Sequence, residues 1–223
     1  GQSSSPPTQK NCNGTPATVY LGFPGYDSPT TGDDIILGTQ GDDTIDGLGG
    51  NDIFCGRNGN DTFIGGAGND TALGGLGRDN LMMGNGDNIA YGNNGTDTLT
   101  GGNGVDIFDG GAGADILHGA AANDQLIGGA GDDQINGGNG DDQLHGGNGD
   151  DTLFGDNGFD LLRGGNGDDN LEGGNGRDFL YGQSGNDILI GGSQVDTLIG
   201  GSGTDSCNEG VVDEFDRIRS SCE

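Results

Sequence analysis

Tryptophan is missing from this 223-residue chain, aromatic residues make up 5% of it, and only seven residues are lysine or arginine. Against those seven stand 36 aspartates and glutamates, a formal net charge of −29. The shortage of positive charge excludes a nucleic-acid binder, because phosphates need basic patches, and it disfavours anionic membrane surfaces. No apolar run approaches the ~18 residues of a spanning helix, so no membrane insertion is expected. With two histidines and no H-E-x-x-H or G-x-S-x-G motif, no catalytic constellation is visible. The chain is therefore read as a non-enzyme. It begins at Gly1 with no leader, which fits a mature form or an excised piece.

Apolar residues are also scarce, at 29%, while glycine occurs 54 times. Composition alone describes a disordered polyanion, but the order of the residues does not. Starting at Asp34 and stepping by nine gives Asp43, Asp52, Asp61, Asp70, Asp79, Asn88, Asp97, Asp106, Asp115, Asp124, Asp133, Asp142, Asp151, Asp160, Asp169, Asp178, Asp187, Asp196 and Asp205. One asparagine interrupts the aspartates and the register never slips. Two residues after each lies an apolar side chain, from Ile36 and Ile45 to Leu198 and Cys207. Two residues before each lies glycine, except at Ala122 and Gln194. A disordered chain has no reason to keep such a register.

The unit G-G-x-G-x-D-x-U-x resembles the RTX (repeats-in-toxin) haemolysin-type calcium-binding nonapeptide family from Thr30 to about Asn208. The resemblance implies an all-β parallel β-roll, a two-sheet β-solenoid in which two units make one coil. About ten 18-residue coils rising ~4.8 Å each would give a rod of roughly 50 Å. Each unit reads as a glycine turn followed by a three-residue strand with its middle side chain inward. Asn139, Asn148, Asn157, Asn166 and Asn175 are read as suited to positive φ in the turns.

In such a roll the aspartates form two columns, one headed by Asp34 and the other by Asp43. Carboxylates ~4.8 Å apart repel by roughly 3–4 kcal/mol per pair at an effective dielectric near 20, so cations are expected between rungs. Calcium suits a loop offering carboxylates and carbonyls. Magnesium demands stricter geometry, and zinc prefers nitrogen or sulfur. Nine intervals per column would hold at most about eighteen Ca2+ ions. All nineteen aspartates of the series are candidate ligands. Asn88, Ala122 and Gln194, all in the Asp34 column, mark expected weaker sites, leaving the Asp43 column nearly complete.

Residues 1–29 read as an N-terminal tail or cap with a strand at Thr18 to Phe23, 30–209 as the calcium-binding roll, and 210–223 as a C-terminal cap. The tail could cap the first coil, cover the sheet or dock on another molecule. Cys207–Cys222 and Cys12–Cys55 are the expected disulfides. Free thiols, or a bond from Cys12 to another molecule, are the alternatives. Cysteines in so polar a chain point to an extracellular, secreted setting. The outward face of the Asp34-series sheet is rich in apolar residues, either a contact surface or the mark of β-propensity on a tolerant surface. The expected role is structural, with self-association into an extracellular fibre. The alternatives are a calcium-binding accessory module of a larger secreted enzyme, toxin or adhesin, and ice binding by the loop face, which lacks a threonine row.

Overall fold

In the computed structural model residues 11–12, 14–22, 28–208 and 222 are described. From Ile35 onward each coil takes eighteen residues, because every strand pairs in parallel with the strand eighteen residues later, as Thr152 does with Asn170 and Leu161 with Phe179. The strands fall alternately into an 11-stranded and a 10-stranded sheet. Each sheet turns one side chain in three toward the other, and these inward residues form a single apolar column. It runs from Ile36, Ile45, Phe54 and Phe63 to Leu189 and Leu198. Phe54 and Phe63 stack with ring centroids 5.0 Å apart. Among the described residues no helix is long and apolar enough to cross a membrane.

Most strands are twice as long as the sequence reading gives: Thr152–Asn157 and Leu161–Asn166 each span six residues. The ladder continues through the glycines because both flanking coils present the same backbone, so nothing interrupts the pairing. Left-handed backbone occurs at the second and fourth positions of the turn, for example Gly147 at φ 122° and Gly149 at φ 130°. The asparagine between them is not left-handed, contrary to expectation. Its amide instead joins a ladder along the loop edge: Asn166 donates to Asn148 at 2.9 Å, and Asn175 to Asn157 at 2.9 Å.

The tail folds back on the roll. Strands β1 (Asn11–Cys12) and β2 (Thr15–Pro16) form a hairpin, and β3 (Val19–Tyr20) pairs in parallel with β4 (Ile35–Leu37), placing Val19 beside Ile36. The expected strand is thus shorter at both ends, with Leu21 and Gly22 in a turn, and Phe23 lies outside the described residues. Cys12, Ala17, Tyr20 and Leu37 form a second apolar cluster with Ile35, Ile53 and Cys55, so the hairpin covers the outward face of the first two coils. A disulfide joins Cys12 to Cys55 with Cα atoms 5.7 Å apart, and another joins Cys207 to Cys222 at 5.9 Å. Apart from Cys222, the expected C-terminal cap lies outside the described residues.

Candidate metal centre

The register places each aspartate of the series eighteen residues from its column neighbours, at the start of a strand where its side chain turns into the edge of the roll. All are buried except Asp43; Asp115, Asp133 and Asp151 are 1–2% exposed. One oxygen of each is used structurally. The Asp115 amide donates to Asp133 Oδ1 at 2.8 Å, and the Asp133 amide to Asp151 Oδ1 at 2.8 Å. The same bond links every pair of neighbours down both columns, from Asp34 to Asp196 and from Asp43 to Asp205.

The second oxygen is orphaned. Oδ2 of Asp52, Asp61, Asp70, Asp79, Asp97, Asp115, Asp124, Asp133, Asp142, Asp151, Asp160, Asp169, Asp178, Asp187 and Asp205 is buried without a hydrogen-bond partner. A buried carboxylate oxygen left so is costly unless a cation meets it. Burial, reinforced by neighbouring carboxylates, pushes Asp124, Asp133, Asp151, Asp160 and Asp169 up to about 7. Burial likewise raises Asp52, Asp61 and Asp97 to about 6.

What the orphaned oxygen faces is oxygen. A Cβ built on Gly110 would stand 2.6 Å from Asp115 Oδ2 and 2.7 Å from the Gly128 carbonyl of the next coil. Glycine leaves that cradle open. Asn88 samples the rest of the surroundings, because its Nδ2 sits where other units carry Oδ2. It donates to the Gly86 carbonyl at 2.9 Å, the Gly84 carbonyl at 3.4 Å and Asp106 Oδ1 at 2.9 Å. A regular unit thus gathers its own carboxylate, carbonyls of its loop, a carbonyl of the next coil and the next aspartate around one point. Among the described residues no three His, Cys, Asp or Glu side chains converge. Such a set is all oxygen, with two carboxylates and the rest backbone, and it fits calcium while offering zinc none of its preferred donors.

Not every rung has this form. Asp34 Oδ2 accepts the Thr30 amide at 2.6 Å and its hydroxyl at 3.0 Å, and Asp43 Oδ2 accepts the Thr39 amide at 2.6 Å. Asp106 Oδ2 accepts the Gly102 amide at 3.2 Å. Of the three positions expected to be weak, Asn88 alone changes the donor set. Ala122 and Gln194 keep the left-handed backbone, at φ 95° and 81°, at a cost of about 1–2 kcal/mol each. Left-handed non-glycines occur in the loops of both columns, Leu48, Ala120 and Asp156 besides these two in the Asp34 column, and Arg57, Asn93 and Gln183 in the other.

A second polar ladder went unread in the sequence. Where the residue before a series position is Asp or Asn, its side chain reaches the opposite way along the axis: Asp132 Oδ1 accepts the Asp150 amide at 3.0 Å, and Asp150 Oδ1 the Asp168 amide at 2.8 Å. The signal was available as recurring Asp or Asn at that place (Asp33, Asp42, Asn51, Asn60, Asn69). His118 and His145 lie on strands of different sheets.

No curated protein sequence matches the chain. A solved structure similar to it over 92% of this chain and 78% of the other is a hyperactive, Ca2+-dependent, β-helical antifreeze protein from an Antarctic bacterium, at 18% identity and a TM-score of 0.30. The family model of the RTX calcium-binding nonapeptide repeat matches residues 29–63, 56–90, 84–117, 109–144, 118–153, 145–180 and 172–207. With its repeats matched continuously from 29 to 207, this chain belongs to the RTX calcium-binding nonapeptide repeat family.

Proposed function

We propose that the chain is a secreted, calcium-folded rod with a structural role, and that copies associate through the uncovered part of its apolar sheet into an extracellular fibre. The calcium ligands are the series aspartates with orphaned Oδ2 atoms, joined by loop carbonyls. Each ion replaces repulsion between stacked carboxylates by attraction to both. One observation carries the association. The hairpin hides Ile35, Leu37, Ile53 and Cys55, yet Tyr91, Ile107 and Ile127 farther along the same face stay 39–42% exposed. Such a surface normally meets a partner.

Electron microscopy in calcium tests it: filaments or laterally paired rods support association, while monodisperse rods of about one roll rule it out. The accessory-module reading shares the calcium ladder and differs in requiring a catalytic or adhesive domain joined to it. Ice binding is set aside because the loop edge carries an amide ladder in place of a threonine row; thermal hysteresis would reinstate it.

A further inference from the structure

Two departures from the repeat coincide in one loop. Wherever the series residue is aspartate from Asp43 onward, the residue five before it is glycine, and a Cβ there would collide with the carboxylate Oδ2. Before Asn88 that place is taken by Met83, which is fully buried and belongs to the central apolar column. Ala72 and Ala90, the smallest members of that column, belong to the same cluster. Side-chain volume missing at Ala72 and Ala90 is supplied by Met83, from the place that other units leave to glycine.

The polar half of the substitution is complementary. Asn88 Oδ1 keeps the structural bond, accepting the Asp70 amide at 2.9 Å. Its Nδ2 hydrogens go to the Gly86 and Gly84 carbonyls and to Asp106 Oδ1. An amide therefore gives these acceptors the positive partner that a cation gives elsewhere, without the charge. Asp106 is closed on its other side by the Gly102 amide.

The geometry points to Met83 and Asn88 as a built-in plug: this rung takes no calcium, and the Asp34 column is divided there into two separate runs of ions. The inference rests on the calcium ladder proposed above. Reverting either residue alone does not reopen the rung. Asn88→Asp would restore a carboxylate but leave the methionine in the cradle, whereas glycine at 83 without the carboxylate leaves a neutral gap.

Anomalous scattering from calcium in crystals of the unaltered protein tests the plug directly. Peaks are expected beside Asp115, Asp133 and Asp151, and none between Asn88 and Asp106. A peak there overturns the plug; absence of peaks at every rung overturns the calcium ladder instead. Bound calcium per chain, measured by equilibrium dialysis on the full chain, gives a second test. Asn88→Asp is expected to bind no more ions than the unaltered protein and to melt lower in saturating calcium. The combined Met83→Gly, Asn88→Asp, Ala90→Leu protein recreates a regular unit and is expected to gain at least one ion. A gain by Asn88→Asp alone, or no gain by a folded triple variant, would refute it.

Discussion

Replacing Asp133 in two different ways separates its two oxygens. In the native roll Oδ1 accepts the Asp115 amide and Oδ2 has no partner. Asp133→Ala removes both oxygens and strands the Asp115 amide, costing about 1–3 kcal/mol in chelator, with the loss of a site added in calcium. Asp133→Asn keeps Oδ1 and turns the orphan into a donor facing the Gly129 and Gly131 carbonyls, the arrangement that Asn88 adopts with Gly84 and Gly86. Two hydrogen bonds at about 1 kcal/mol each, with relief of charge repulsion, make this variant about 2 kcal/mol more stable than the unaltered roll in chelator. With calcium at a hundred times its dissociation constant, loss of one site costs about 2.7 kcal/mol. The asparagine effect therefore changes sign with calcium and the alanine effect does not. Hydrogen exchange over residues 115–151 reads both, with an excluded osmolyte added in chelator to populate the compact state. If the two variants behave alike, or Asp133→Asn is destabilised in both conditions, the assignment of roles to the two oxygens fails.

The pH dependence in chelator has a definite sign. Folded-state values of about 6 to 7 lie above the ordinary 3.8, so the stabilisation is full below pH ~4 and is lost as pH rises through 6 to 7. Circular dichroism in chelator should show the β signal growing as pH falls from 8 to 5, and a flat profile contradicts it. In calcium the dependence reverses, because the ligands must be deprotonated, and affinity measured by titration should drop below pH ~7. Cys55→Ser opens a link of sequence separation 43, worth about 4 kcal/mol by chain entropy; exchange should rise in the first two coils and not near Leu180. Leu153→Ala, at a fully buried rung, should cost 2–5 kcal/mol, read as a lower melting temperature in calcium.

Which residues stack on which was legible from the nine-residue step, since a period fixes coil neighbours whatever the backbone does. Both the aspartate columns and the apolar column follow from it. The direction in which each side chain reaches was not. Asp132 and Asp133 are adjacent and identical, yet one binds the amide of the following coil and the other that of the preceding coil, a difference set by the turn. Thr30, Thr39 and Met83 were invisible for the same reason. Their effect lies in the place left by a glycine or turned inward by a peptide, and a reading centred on acidic residues passes over them. The tail was legible only as one short strand, because its docking depends on the apolar patch of Ile35, Leu37 and Ile53 assembled from two coils.

Far-ultraviolet circular dichroism of the purified chain, recorded at pH 7.5 before and after chelation and again on adding calcium back, bears most directly on the buried carboxylate columns as cation ladders. Loss of most of the β signal on chelation, with recovery on calcium and little on magnesium, is the predicted result. An unchanged spectrum and melting temperature in chelator would contradict it.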